Sequence, residues 1–188
     1  ADVDAIREHL VPGARLAIVG GGYIGLEVAA VAVKRGVDVT VVEAADRVMI
    51  RAVSPRVSAF YEQTHRNAGV KFLLNATAQA FEGSSSVQAV VTSGGTVRAD
   101  VVLVGVGIVP NSEIARDAGL KCDNGIVVDE YAATSDPDIF AAGDCTNHPT
   151  FAGGRVRLES VQNAIDQAKH AAPAMVGRPT PYNEVPGF

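Results

Sequence analysis

Residues 15–43 read "RLAIVGGGYIGLEVAAVAVKRGVDVTVVE", and this stretch decides the fold. The short apolar run 15–19 leads directly into a glycine cluster and has the length of a buried strand. From Tyr23 to about Lys34 the chain is apolar on nearly every side, which predicts a helix packed on a sheet. Gly36 ends that helix, and residues 37–43 form the next strand. Strand, glycine turn, helix and strand in this order open a parallel α/β unit.

Gly20-Gly21-Gly22-Tyr23-Ile24-Gly25 satisfies the pattern GxGxxG. Alone that is weak evidence. Here it follows a strand, opens a helix and precedes a second strand ending in Glu43, eighteen residues beyond Gly25, which is the context of a dinucleotide fingerprint. Gly20 permits the tight turn, and Gly22 lets backbone approach a pyrophosphate. Gly25 lets helix and strand pack closely, and the helix N-terminus faces the phosphate charge. Glu43 is placed to accept hydrogen bonds from an adenosine ribose. A carboxylate there repels a 2′-phosphate, which favours NAD over NADP; Arg47 and Arg51 keep the alternative open, as surface charges or as groups reaching the dinucleotide. Glu27 has two readings: a first-turn carboxylate favoured by the helix dipole, or a group beside the nicotinamide ring.

Outward from this core, residues 2–10 have helical spacing that Pro12-Gly13 ends. Ser54-Pro55 reads as N-cap and first turn of a second surface helix. The runs "VKFLL", "AQAF", "VQAVVT" and "TVRA" predict an antiparallel meander inserted in the α/β unit. "VVLVGVG" (101–107) returns to a continuous apolar run, expected of a central parallel strand, and a short helix "EIARDAG" comes next. The pattern restarts near Cys122, where a domain boundary is expected: 1–122 as one domain, 123–188 as part of another. In the second part a strand-like approach, 139–142, runs into Gly143-Asp144, suggesting a carboxylate presented to a hydroxylated ligand. The last regular element, 160–172, carries Val161, Ala164, Ile165 and Ala168 at helical spacing, which predicts a buried apolar face.

The 188 residues are 47% apolar and 20% charged, with 19 glycines and a net charge of −5. Such a balance is globular and offers no basic face to nucleic acid or anionic membrane. No apolar stretch reaches the roughly 18 residues that span a bilayer. Cys122 and Cys145 belong to no CxxC, which fits a reducing, cytoplasmic setting without a disulfide framework. Four histidines without HxxxH or Cys-His spacing argue against a metal site. The first residue is Ala1 and the ending "PYNEVPGF" closes no element, so the chain reads as a piece of a longer one.

With "GGGYIGLEVAAVAVKRGVDVTVVEAADRVM", "GVGIVPN", "TSDPDIFAAGDC" and "RLESVQNAIDQAKHAA" in order, the chain resembles the flavoprotein ferredoxin reductases, the NADH-dependent FAD enzymes that include putidaredoxin and rubredoxin reductases. The resemblance covers essentially the whole chain. It implies a Rossmann-type NADH domain to about residue 122, followed by the returning, incomplete part of a split FAD domain. It implies Asp144, after Gly143, as the carboxylate bonding the FAD ribitol chain, and Val161 as a backbone contact to the flavin ring. Gly105, Val106 and Gly107 resemble the loop flanking the nicotinamide. A ferredoxin- or rubredoxin-type iron–sulfur protein is the implied electron acceptor. Against the family pattern, an N-terminal FAD segment with its own GxGxxG is missing, and Gly187 stands where relatives carry Trp, with Phe188 the last residue. Two other readings remain open: a pyridine nucleotide-disulfide reductase, which needs a cysteine pair, and a non-enzymatic NAD(H)-binding module.

Overall fold

The computed structural model describes residues 2–184; expectations attached to Gly187 and Phe188 lie outside the described residues. Residues up to Ile108 form one unit and those from Val109 form another. The division falls before the expected position at Cys122. Its physical cause is a small apolar cluster in which Ala115, Leu120 and Cys122 pack with Ile126 and Val128, so the short helix before Cys122 belongs to the second unit.

In the first unit, α1 (Asp2–His9) precedes β1 (Arg15–Val19), α2 (Tyr23–Lys34) and β2 (Asp38–Val42). Then come α3 (Pro55–Asn67), β3 (Lys71–Leu73), β4 (Ala78–Glu82), β5 (Ala89–Thr92), β6 (Gly95–Arg98) and β7 (Val101–Val104). A four-stranded sheet has the order β3-β2-β1-β7, with parallel pairing throughout and Ile18 opposite both Val41 and Leu103. Leu16, Ile18, Val39 and Val41 are fully buried with Ala29 and Ala32 of α2 in one core. Each such large side chain contributes roughly 1.5–3 kcal/mol relative to exposure. Ser54 caps α3 as expected, its Oγ accepting from the Val57 N–H at 3.5 Å.

Two strand assignments change. The sequence pattern puts "VKFLL" in the meander, but β3 pairs parallel with β2, Val41 opposite Phe72. Helix α3 carries the chain back along the sheet, and a strand after such a crossover runs parallel. The meander is β4-β5-β6 alone. The continuous apolar run at β7 predicts a central strand, whereas β7 lies at the sheet edge beside β1. Its apolarity has another cause. Val101 and Leu103 face the helix-side core, while Val102 packs with Val90, Val97 and Ala99 of the meander region, so both faces are covered.

The second unit holds α4 (Glu113–Asp117), β8 (Ile126–Val127), β9 (Thr146–Pro149), β10 (Arg155–Val156) and α5 (Val161–Met175). β8 and β9 run parallel and β9 pairs antiparallel with β10. The Arg155 guanidinium ties them together, donating to the carbonyls of Val128 and Asn147 and to Asn147 Oδ1. Residues 139–142, expected as a strand, make only the isolated bridge Ala133–Phe140. No further strand among the described residues extends that pairing. Among the described residues no helix is long and apolar enough to cross a membrane.

Arg15 and Asp100 join the starts of β1 and β7. Asp100 Oδ2 accepts from the Arg15 N–H at 2.9 Å and Nε at 3.0 Å, and its own N–H donates to Arg15 O at 2.8 Å. The guanidinium bond first, and the backbone bond second, lower the Asp100 carboxyl from 3.8 to about 2. The folded state therefore takes up this proton later than the unfolded chain. Its contribution is whole above about pH 4 and is lost as pH falls toward 2; because the pair is exposed it is small. Urea midpoints measured between pH 5 and 2 (about one unit per step) should fall less steeply with acid in Asp100→Asn than in the parent chain.

Candidate functional site

The glycine turn between β1 and α2 sits at the C-terminal end of the sheet. Because β2 lies on one side of β1 and β7 on the other, the crevice beyond β1 and β7 is a topological switch point, where open α/β sheets bind ligands. Gly20 has φ +107 and a β-carbon there would lie under 3.0 Å from the Gly105 carbonyl. The Gly105 N–H in turn donates to Val19 O at 2.8 Å. A β-carbon at Gly25 would likewise lie under 3.0 Å from Gly20 O. Both glycines are thus required by the protein's own packing.

Gly22 is different. It caps α2 with φ −83 and ψ −171, a conformation open to any residue, and an added β-carbon meets nothing within 4 Å. No protein atom requires glycine there. The bare backbone at this helix N-terminus can instead take a close-approaching diphosphate.

Glu43, at the end of β2, is bound on both oxygens: Oε2 accepts from the Gly21 N–H at 2.7 Å and Oε1 from the Ala45 N–H at 2.8 Å. Each oxygen keeps a lone pair for a ribose hydroxyl, so the carboxylate braces the turn and can still receive a ligand. The Met49 N–H donates to Gly21 O at 2.9 Å, a second brace that nothing in the sequence signalled. Arg47 is committed locally, donating to Val53 O at 3.0 Å and Ile50 O at 3.1 Å. Arg51 is exposed and unpaired among the described residues, which leaves it as the cation of this loop available to a ligand. Tyr23 and Ile24 are exposed beside the turn, and Glu27 is exposed on α2. After β7, Val106 is exposed between Gly105 and Gly107, the latter at φ +133. Gly20, Gly21, Gly25, Glu43 and Gly105 are joined by contact; Glu27 is not tied to them by any hydrogen bond.

In the second unit, Gly143 has φ +92 and lies against α5, where its β-carbon would meet Ala164 Cβ at 3.3 Å. The Asp144 carboxylate next to it is exposed and unpaired among the described residues, while its carbonyl accepts from Arg157 Nη1 at 3.2 Å. Arg157 is also paired with Glu159 at 2.7 Å. Helix α5 begins at Val161 with Ser160 as cap, its Oγ accepting from the Asn163 N–H at 3.2 Å. The first N–H groups of such a helix have no intrahelical acceptor.

The expected buried face of α5 is overturned. Val161 is 78% and Ile165 46% exposed, and Ala168 is exposed as well, whereas Asn163 is 0% and Gln167 2% exposed. Of the four residues expected inside, only Ala164 is even half-buried. Polar side chains face inward because they have partners there: Asn163 Nδ2 donates to Leu158 O at 3.2 Å, its Oδ1 accepts from the Tyr182 hydroxyl at 3.0 Å, and Gln167 Oε1 accepts from the Gly143 N–H at 2.7 Å. Hydrophobic periodicity cannot see such partners. The signal that was present is a second polar spacing, Asn163 and Gln167 at i and i+4.

A parallel sheet with a braced glycine turn at its switch point defines a Rossmann-type dinucleotide-binding fold. Residues 1–168 match the family described as pyridine nucleotide-disulphide oxidoreductase, and the chain belongs to that family. It is 48% identical over 193 residues to the ferredoxin reductase subunit of a 5,5'-dehydrodivanillate O-demethylase from a Sphingobium species, covering 100% of this chain and 47% of that protein. The crystal structure of a ferredoxin reductase from Rhodopseudomonas palustris superposes with a TM-score of 0.92 at 41% identity, over 97% of this chain and 46% of that one. The covalent putidaredoxin reductase–putidaredoxin complex gives 0.90 at 45% identity, over 97% and 45%. The chain spans about half the length of the curated relatives it matches.

The contrast between the glycines is testable. Gly20→Ala is expected to cost roughly 1–3 kcal/mol or more through strain and overlap, read as a fall in Tm. Gly22→Ala should leave Tm nearly unchanged yet weaken NADH binding about tenfold or more, read by titration calorimetry. Equal effects of the two on Tm would contradict this assignment.

Proposed function

We propose that the chain forms the NADH-binding domain and part of the FAD-binding domain of a flavoprotein that passes electrons to a ferredoxin- or rubredoxin-type iron–sulfur protein. The observation that carries this reading is Gly22: within a turn braced from three sides, the one glycine without a protein neighbour stands at the helix N-terminus. The residues fit a dinucleotide: Gly22 leaves room for the diphosphate, and Glu43 has lone pairs for ribose hydroxyls and repels a 2′-phosphate. The names of similar proteins, ferredoxin reductases and a putidaredoxin reductase captured with its putidaredoxin, support the acceptor class. Two free cysteines support a reducing, cytoplasmic setting.

The bound cofactors supply the redox chemistry, two electrons from NADH to FAD and single electrons onward. The protein's own groups position them. Gly20, Gly22 and Gly25 shape the phosphate turn, with Tyr23 and Ile24 opening the helix. Gly105, Val106 and Gly107 flank the nicotinamide, with Glu27, exposed on α2, as a further group beside the ring. Arg51 supplies a cation near the adenosine end. Asp144, unpaired and exposed after Gly143, fits a polyol hydroxyl of FAD. The free N–H at Val161 fits an electron-rich edge of the flavin, favoured by the helix N-terminus. A disulfide reductase would need a redox-active cysteine pair, and Cys122 and Cys145 belong to no CxxC.

On the full-length polypeptide, NADH-dependent reduction of an added ferredoxin or rubredoxin, without turnover of disulfide substrates, is the expected result. Turnover of disulfides instead would overturn the reading. Glu43→Ala should raise the Kd for NADH about tenfold and narrow its advantage over NADPH. Asp144→Ala should lower FAD retention by a similar factor of about ten while leaving NADH affinity unchanged.

A further inference from the structure

Gln167 is almost fully buried on α5, yet its amide is only half used. Oε1 accepts from the Gly143 N–H at 2.7 Å and lies 2.8 Å from Thr146 Oγ1, whereas Nε2 is buried without a partner among the described residues. The amide cannot be turned over, because an NH2 group would then face the Gly143 N–H. A methionine or leucine would fill the same space without an orphaned donor, so the oxygen is the part of the side chain that the fold uses. That oxygen holds one point: the start of the Gly143–Thr146 turn that carries Asp144. The Thr146 N–H completes it by donating to Gly143 O at 2.9 Å, and the single Thr146 hydroxyl proton is shared between Gly143 O and Gln167 Oε1, each 2.8 Å away. Gly143 itself, at φ +92, is pressed on Ala164 one helical turn earlier on α5.

We propose that Gln167 is a positioning residue that fixes the Gly143–Asp144 turn to α5, so that the Asp144 carboxylate and the α5 N-terminus are set as one rigid element against the FAD polyol and ring. This rests on the assignment of Asp144 to FAD. Neither Gln167 nor Thr146 needs to touch the cofactor; both act through the backbone of Gly143.

The test uses the full-length flavin-bearing polypeptide and compares Gln167→Met, Gln167→Glu, Asp144→Ala and the parent. FAD affinity is read from flavin fluorescence on dilution, and the setting of the ring from visible circular dichroism of the bound flavin. Gln167→Met should weaken FAD binding about tenfold and change the flavin dichroism, with NADH affinity unchanged. Gln167→Glu, which keeps an oxygen at the accepting position, should restore both readouts to within about threefold of the parent. Gln167→Met with parental FAD affinity and dichroism overturns the proposal, as does failure of Gln167→Glu to rescue a protein that melts like the parent. Should Gln167→Met not fold, a Thr146→Val variant removes the hydroxyl that bridges Gly143 O and Gln167 Oε1 and must weaken FAD binding in the same direction. If Asp144→Ala leaves FAD retention intact, the assignment of Asp144 fails, and the role of Gln167 toward FAD fails with it.

Discussion

The close approach of Gly20 to the Gly105 carbonyl is the constraint on which the first unit depends. It brings the C-terminal ends of β1 and β7 into backbone contact, leaving no room for a side chain at Gly20. The same geometry seats α2 on the sheet, since Gly25 must pass equally close to Gly20 O. Once those backbones touch, the N-terminus of α2 has one available direction, toward the crevice at the strand ends. Glu43 and Met49 then fasten Gly21 from the far side. The turn is therefore rigid before any ligand arrives, and little ordering entropy remains to oppose binding.

The second unit is held together differently. Its apolar cluster is small, and its order rests largely on hydrogen-bonded polar side chains: the Arg155 guanidinium across β8 and β9, and the buried Asn163 toward Leu158 and Tyr182 and Gln167 toward Gly143. Buried polar groups are costly unless satisfied, and once satisfied they specify one arrangement. His148 is only half satisfied, its Nε2 being buried without a partner among the described residues. Its Nδ1 lies 3.1 Å from Pro149 O, and burial pushes its pKa down, which favours the neutral ring. The apolar stripe of α5 is meanwhile left on the outside of this unit.

Much of this was legible in the sequence. The boundaries of α2, the cap of α3 and the hairpin strands of the meander follow from periodicity and turn residues, which are local signals. The parallel pairing of β3 was not legible, because a three-residue strand has too few positions to show alternation. The edge position of β7 was hidden for a related reason: a strand covered on both faces reads as apolar whether it lies at the centre or the edge. For α5 the periodicity points the wrong way, since Asn163 and Gln167 are inward by virtue of partners twenty residues or so away in sequence.

By itself, the sequence determined the strand–turn–helix–strand core, the glycine pattern and the acid that completes it, because those rest on spacing along one continuous segment. Only the tertiary structure gave the physical ground for treating these glycines differently: the Gly105 carbonyl lies opposite Gly20, whereas open space lies opposite Gly22. Only the tertiary structure, too, tied Gly143 to Gln167. A hydrogen bond between residues 24 positions apart leaves no periodic trace; it exists only once the chain has folded and a backbone N–H finds itself facing an amide oxygen.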